Sequence, residues 1–165
     1  MSSDDAGGIV WNAWGSPVRV RVEHAPVMSF ARAVKDDDPV YRSEQAARAA
    51  GFERVPVPPK FTFVMAASGT FPDLQPEGST GSMYPDPGAT FGRTGLYLHG
   101  EQHFTYHRPV LVGDVLEGRL RTSQPIVRTA RRGPMEVTYF QTRWCDLDGA
   151  PVVDEQIVSL YFPDG

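Results

Sequence analysis

Apolar and polar residues alternate from Val18 to His24, VRVRVEH, with the period of a strand that has one buried face. VMSFARAVK then places Val27, Phe30, Ala31 and Val34 at helical spacing. RSEQAARAAGF predicts a second short helix, with Ser43 as its N-cap and Gly51 as its C-terminal stop. After the proline-stiffened VPVPPK, the stretch from Phe61 to Ala67 is too hydrophobic all round for a surface and predicts a buried helix. Thr70 to Leu98 is rich in Gly, Pro and Ser and has neither period, which predicts a long functional or mobile loop such as a lid. Four alternating runs follow: GEQHFTYHRPVL, Val115 to Arg128, MEVTYFQTRWCDL and VVDEQIVSLYF. The turn signals VGD, RRGP and LDGA between them predict that consecutive strands are antiparallel neighbours. This order predicts an α+β domain in which an antiparallel sheet wraps the buried helix.

Composition sets bounds on that picture. A chain of 165 residues, 41% hydrophobic and 22% charged, suits one domain over 1–165 with a real core. A net charge of -4 offers no general attraction to nucleic acid or anionic lipid, so neither is expected as a partner. No run reaches the roughly 18 apolar residues of a membrane span, and MSSDDAGG carries acids where a secretion signal is basic, so the expected location is cytoplasmic. The single Cys145 cannot form an internal disulfide and falls in a strand-like run where a small buried thiol is common.

Three histidines, His99, His103 and His107, recur at intervals of four in LHGEQHFTYHRP. On a strand that interval spans about 13 Å. Zinc holds its nitrogen ligands at about 2.0–2.1 Å, so no metal is expected, and the same alternation puts all three on one sheet face, opposite Phe104 and Tyr106. Phosphate-cradling and dinucleotide-binding glycine motifs are missing, as is a serine nucleophile elbow. Arg128, Arg131 and Arg132 cluster at a strand end, either as a solvated turn or as a hold for phosphates. Asp36, Asp37 and Asp38 follow a helix C-terminus, where the helix dipole disfavours them, although Asp before Pro also builds turns.

SFARAVKDDDPVYRSEQAARAAGFERVPVPPKFTF and LHGEQHFTYHRPVLVGDVL resemble the two signature regions of the MaoC-like hot-dog dehydratases and hydratases, closest to their N-terminal-domain type. They also resemble the acyl-binding subunits of mycobacterial 3-hydroxyacyl-carrier-protein dehydratases, whose FHKP…GD strand and turn correspond to YHRPVLVGD. The resemblance implies a hot-dog fold and action on acyl thioesters of coenzyme A or carrier protein, with no further cofactor. It implies a catalytic motif Gly-Asp-x-Asn-Pro-aliphatic-His, in which Asp and His activate the water that adds to, or leaves, the β carbon. That motif falls on KDDDPVY: Asp36 matches the aspartate, and Pro39 and Val40 match. Lys35, Asp38 and Tyr41 replace the glycine, asparagine and histidine. A tyrosine of pKa near 10 is a poor base at neutral pH, so the catalytic set is half present.

In related two-subunit enzymes one half keeps Asp and His while the other shapes the acyl pocket. The first expectation is therefore an (R)-specific hydratase/dehydratase component that needs a catalytic hot-dog partner. Its acyl tunnel is expected at Phe61, Phe63, Val64 and Met65, with the Lys60 and Phe61 N–H groups toward the thioester carbonyl. Exposed sheet edges predict a homodimer or heterodimer. The alternatives are a self-sufficient hydratase in which Asp36 works with His103 or another histidine, a non-enzymatic acyl-thioester binder and, least favoured, a thioesterase. The acyl chain, whether fatty, branched, aromatic or steroid, is left open.

Overall fold

The computed structural model of the protein describes residues 8–68, 94–131 and 133–164. Most of the expected lid at 70–98 therefore lies outside the described residues, as does Arg132. Strand β1 (Val18–Arg21) buries Val18 and Val20 and exposes the arginines between and after them. Helix α1 (His24–Ala33) buries Val27 and Ala31, four residues apart on one face. A 3-10 turn (Pro39–Tyr41) leads into α2 (Glu44–Ala49). As its sequence predicts, α2 is capped by Ser43, whose Oγ accepts the Ala46 N–H at 3.3 Å, and ends at Gly51 with φ of 91°.

Helix α3 (Phe61–Ser68) is the apolar segment, and it is the centre of the packing. Phe61 and Met65 sit one turn apart in a single cluster with Val18, Val20, Val22, Leu116, Trp144 and Val153. Phe30 of α1 meets Phe61 edge to face, with ring centroids 5.8 Å apart. Between these contacts the Thr62 hydroxyl donates to the buried carboxylate of Glu155. A buried carboxylate is tolerated only with such a partner.

The remaining strands are β2 (Gly95–Tyr106), β3 (Val115–Thr122), β4 (Ile126–Ala130), β5 (Gly133–Cys145) and β6 (Pro151–Pro163). The sheet runs β1-β3-β5-β6-β2, with β4 also on β5, and every pairing is antiparallel. This antiparallel sheet packed on one central helix is the expected hot-dog arrangement.

The structure corrects the sequence reading in four places. Strand β2 begins at Gly95, so 95–98 belong to the sheet and not to the loop. The single run expected from Val115 to Arg128 is broken into β3 and β4, because Ser123 turns its hydroxyl to accept the Tyr139 N–H at 3.0 Å and Pro125 lacks an N–H for the ladder. Strands β2 and β3 are not neighbours, since β2 pairs with β6 at one end of the sheet and β3 lies between β1 and β5. The VGD turn is thus a crossing and not a hairpin, and it runs beside the 55–57 segment through the bonds Val57 N–H to Val110 O (3.0 Å) and Val112 N–H to Val55 O (2.8 Å). Finally, the register of β2 slips at Gly100, so that His99 pairs with Ser159 while Glu101 pairs with Val158. This bulge turns His99 toward α3, against Phe63, and leaves His103 beside Glu101 on the opposite face.

The crossing is locked by Asp114, which is buried. Its Oδ2 accepts from Arg108 Nη1 at 2.6 Å and from the Leu111 N–H at 3.1 Å, and its Oδ1 from Arg54 Nη2 at 2.7 Å. Gly113 beside it has φ of +91°, and a Cβ there would lie 3.0 Å from Arg54 Nη1, so both backbone and space call for glycine. Burial alone would raise the Asp114 carboxyl, but the hydrogen bonds from Arg108, Arg54 and Leu111 outweigh it and hold the group below its ordinary value. Removing this carboxylate in Asp114→Ala strands two guanidinium groups and is expected to cost about 3 kcal/mol, read as a lower denaturant midpoint at unchanged m-value. Because the folded carboxyl is the stronger acid, its stabilisation is complete above the unfolded pKa of about 3.9 and is lost as pH falls through the lower folded value. The stability difference between wild type and Asp114→Asn should therefore stay flat from about pH 8 to pH 5 and shrink below about pH 4.

Candidate active site

The turn after α1 uses all three of its carboxylates. Lys35 takes φ of 58°, the left-handed conformation that the glycine of the hydratase motif would adopt without strain. The Asp36 N–H then closes on Ala31 O at 2.9 Å. Asp36 Oδ1 accepts the Asp38 N–H at 3.2 Å, and Asp38 Oδ1 accepts the Val40 N–H at 2.9 Å, with Pro39 opening the 3-10 turn. Arg42 crosses beneath, donating to Asp36 O at 3.2 Å and to Asp37 Oδ1 at 2.6 Å. Its cation offsets the acidic cluster that the helix C-terminus disfavours.

This turn delivers Tyr41 and Asp38 to a cavity of about 700 Å³. Val40, Phe52, Val57 and Val110 give it apolar walls, and Tyr106, His107 and Arg108 line it at the end of β2. Neither Asp36 nor His103 lines it. Burial, followed by the negative charges of Asp36 and Asp38, raises the Tyr41 hydroxyl above its ordinary value. Tyr41 is therefore a hydrogen-bond donor at neutral pH, not a base.

At the entry to α3, Lys60 also takes a left-handed backbone, φ of 71°. Its N–H donates to Tyr106 Oη at 2.9 Å, and the Phe61 N–H donates to Pro58 O at 3.2 Å. Both N–H groups expected to face a thioester are thus bonded within the chain. Burial raises the Tyr106 phenol, the Lys60 N–H pulls it down and the charge of Glu155 raises it again, leaving it above its ordinary value. Tyr106 consequently keeps its proton at neutral pH, and that O–H has no acceptor among the described residues.

The histidines separate in space. His107 lines the cavity, and its Nε2 lies 2.8 Å from Asp154 Oδ2 on β6. Arg143 Nε of β5 donates to the other oxygen, Oδ1, at 2.9 Å, and the His107 N–H donates to Val152 O at 2.9 Å. Burial alone would raise the Asp154 carboxyl, but Arg143 and His107 hold it below its ordinary value. His103 meets Glu101 at 3.1 Å on exposed surface.

Phe61 and Met65, expected in an acyl tunnel, belong to the main core beneath α3. Phe63 and Val64 are half-buried, with Phe63 6.0 Å from the His99 ring between centroids. Arg128 and Arg131 are exposed at the end of β4 and do not line the cavity. Cys145 is raised first by burial, against the pull of Arg143, which keeps it a thiol. No group of three or more His, Cys, Asp or Glu side chains converges on a metal position among the described residues. The sequence reading missed two pairings, Tyr106 with Lys60 and His107 with Asp154. The signal for the cavity rim was the step from alternation to Arg-Pro in FTYHRP, which ends the strand there.

The family model described as "FAS1-like, dehydratase domain region" matches residues 11–155. The chain belongs to this family. The FAS1-like dehydratase domain is 33% identical over 132 residues to a UPF0336 protein of Parafrankia sp. (80% of this chain, 79% of the relative), and 37% identical over 127 residues to one of Clavibacter michiganensis (77% and 75%). Its structure is similar to the HadBC (3R-hydroxyacyl-ACP dehydratase) complex of Mycobacterium tuberculosis, with TM-score 0.63, 26% identity and 93% and 98% of the two chains covered. The ChsH1–ChsH2 complex of the same organism shares the fold at TM-score 0.68 and 22% identity, covering 93% of this chain and 86% of that one. Within the FAS1-like dehydratase domain, Ala50 ends α2 on the cavity wall. Ala50→Trp should fill much of the cavity and lower the fluorescence of a bound apolar probe such as 1-anilinonaphthalene-8-sulfonate by about tenfold or more, with the far-ultraviolet circular dichroism unchanged.

Proposed function

We propose that this chain is the acyl-binding component of an (R)-specific enoyl-thioester hydratase/3-hydroxyacyl-thioester dehydratase, completed by a second hot-dog subunit. The observation that carries this reading is the apolar-walled cavity of about 700 Å³ standing where the motif KDDDPVY falls, with protonated Tyr41 at the position of the motif histidine. A site of that shape holds an acyl chain, whereas the water needs a base that Tyr41 cannot supply. Asp36 is engaged in the turn and stands outside the cavity lining.

The similarity to HadBC, a dehydratase built as a complex, supports a paired assembly. So does the end position of β2 in the sheet order, where a 12-residue strand carries Leu96 and Leu98, 42% and 43% exposed. The thioester carrier on this reading is coenzyme A or an acyl-carrier protein.

The test compares the purified chain with its mixture with a hot-dog subunit bearing the intact Gly-Asp-x-Asn-Pro-aliphatic-His motif. Hydration of crotonyl-CoA by the chain alone is expected to be slower by about 10² to 10⁴ than by the mixture, and the mixture should elute as a two-chain species. Full turnover by the chain alone, unchanged by the partner, would overturn the proposal.

A further inference from the structure

The geometry points to Arg54 and Arg108 as the holders of a phosphate group: the recess they line, beside the large cavity, takes the phosphorylated end of the pantetheine arm that carries the acyl chain. This deepens the acyl-binding reading and rests on it for the direction in which the ligand lies.

A second hollow, of about 340 Å³, is lined by Glu53, Arg54 and Asp114 among others. Phe52, Arg108 and Pro109 line both this hollow and the cavity of about 700 Å³, so the two adjoin. The chemistry changes from one to the other. Val40, Val57 and Val110 wall the large cavity, whereas the smaller one presents two guanidinium groups. A ligand that spans both is apolar at one end and anionic at the other, and an acyl chain on a phosphorylated arm is of that kind.

Asp114 is what makes the two cations usable together. Its buried carboxylate takes an N–H from Arg54 Nη2 at 2.7 Å and from Arg108 Nη1 at 2.6 Å. Arg54 Nη1 also donates to Val112 O, and Arg108 Nη1 to Pro109 O at 2.9 Å. The two side chains nevertheless remain 43% and 37% exposed. A guanidinium has five N–H donors, so each arginine keeps some, the Nε–H included, with no partner among the described residues. Unanchored, two such cations would repel and swing apart. Held by one carboxylate, they lose little side-chain freedom when an anion arrives, and their planar forks match the spacing of phosphate oxygens. Glu53 lines the same hollow and opposes an anion. It is exposed and has no bond partner among the described residues, so its charge is screened by solvent and its side chain is free to turn away.

The experiment titrates the purified full chain, by calorimetry, with octanoyl-pantetheine, octanoyl-4′-phosphopantetheine and octanoyl-CoA, which share the acyl chain and differ in phosphate. Octanoyl-CoA should bind about tenfold or more tighter than octanoyl-pantetheine, and the advantage should shrink as salt is raised. If octanoyl-4′-phosphopantetheine matches octanoyl-CoA, the group held is the phosphate that coenzyme A and a carrier protein have in common; if only octanoyl-CoA gains, it is a phosphate of the nucleotide. Arg54→Gln and Arg108→Gln should each remove most of the advantage and leave octanoyl-pantetheine binding as it was. Both substitutions also touch Asp114, so either variant can fail to fold. Glu53→Arg breaks no bond at that junction, and it should tighten octanoyl-CoA by about threefold or more with octanoyl-pantetheine unchanged. If octanoyl-pantetheine binds as tightly as the phosphorylated ligands, or Glu53→Arg leaves octanoyl-CoA binding unaltered, the phosphate inference falls and the acyl-binding reading stands. If none of the three ligands binds wild type, the acyl-binding reading itself falls, and this inference with it.

Discussion

The rest of the structure depends on one buried carboxylate. Asp114 gathers the side chains of Arg54 and Arg108 and the Leu111 N–H, while its carbonyl accepts the Val22 N–H at 2.8 Å and the Gly113 N–H closes back on Val22 O at 2.8 Å. Four stretches of chain far apart in sequence thus meet at one group: the end of β1, the segment after α2, the end of β2 and the start of β3. Both walls of the cavity follow from that junction. Arg108, held by Asp114, lines the cavity beside Tyr106 and His107, and the paired 55–57 segment carries Pro58 and Pro59 to the start of α3. The Asp114 carboxylate gives up its hydration for these partners, while the two guanidinium groups keep an outer side in solvent.

Local pattern was enough for the elements and too little for their arrangement. Val18 and Val20, Ser43, Gly51 and the apolar run from Phe61 announce themselves, since alternation, capping chemistry and all-round hydrophobicity each act within a few residues. The wrong neighbour for β2 had a different origin, because VGD has the composition of a hairpin turn. Only the long-range bonds to Val55 and Val22 show that it bridges the sheet. The histidine faces failed for one residue, Gly100, whose bulge adds an extra position to an otherwise even count. Phe61 and Met65 read as tunnel residues because a buried helix and a ligand tunnel have the same apolar composition, and the difference lies in whether side chains or empty space fill the gap.

The site itself was legible in the turn and illegible across the cavity. Asp36 to Tyr41 is a continuous motif, whereas Tyr106 with Lys60 and His107 with Asp154 are pairs 46 and 47 residues apart. The hydrogen bond from Lys60 has its own energetic logic. A left-handed backbone at a residue with a side chain costs on the order of 1 kcal/mol, and it persists only where the surroundings over-determine it. Tyr106 supplies part of that determination, so the helix entry and the polar rim of the cavity stabilise one another.

The Gly100 bulge also shapes the end strand of the sheet. A long terminal strand with apolar side chains is a template for indiscriminate β-addition, and an even ladder would welcome another copy of itself or any extended peptide. At Gly100 the alternation of backbone groups is interrupted. An added Cβ would lie 3.1 Å from Val158 O and 3.2 Å from Leu160 Cγ, so the irregularity cannot easily be lost by substitution. The interruption makes the end strand a poorer template for an even β-ladder.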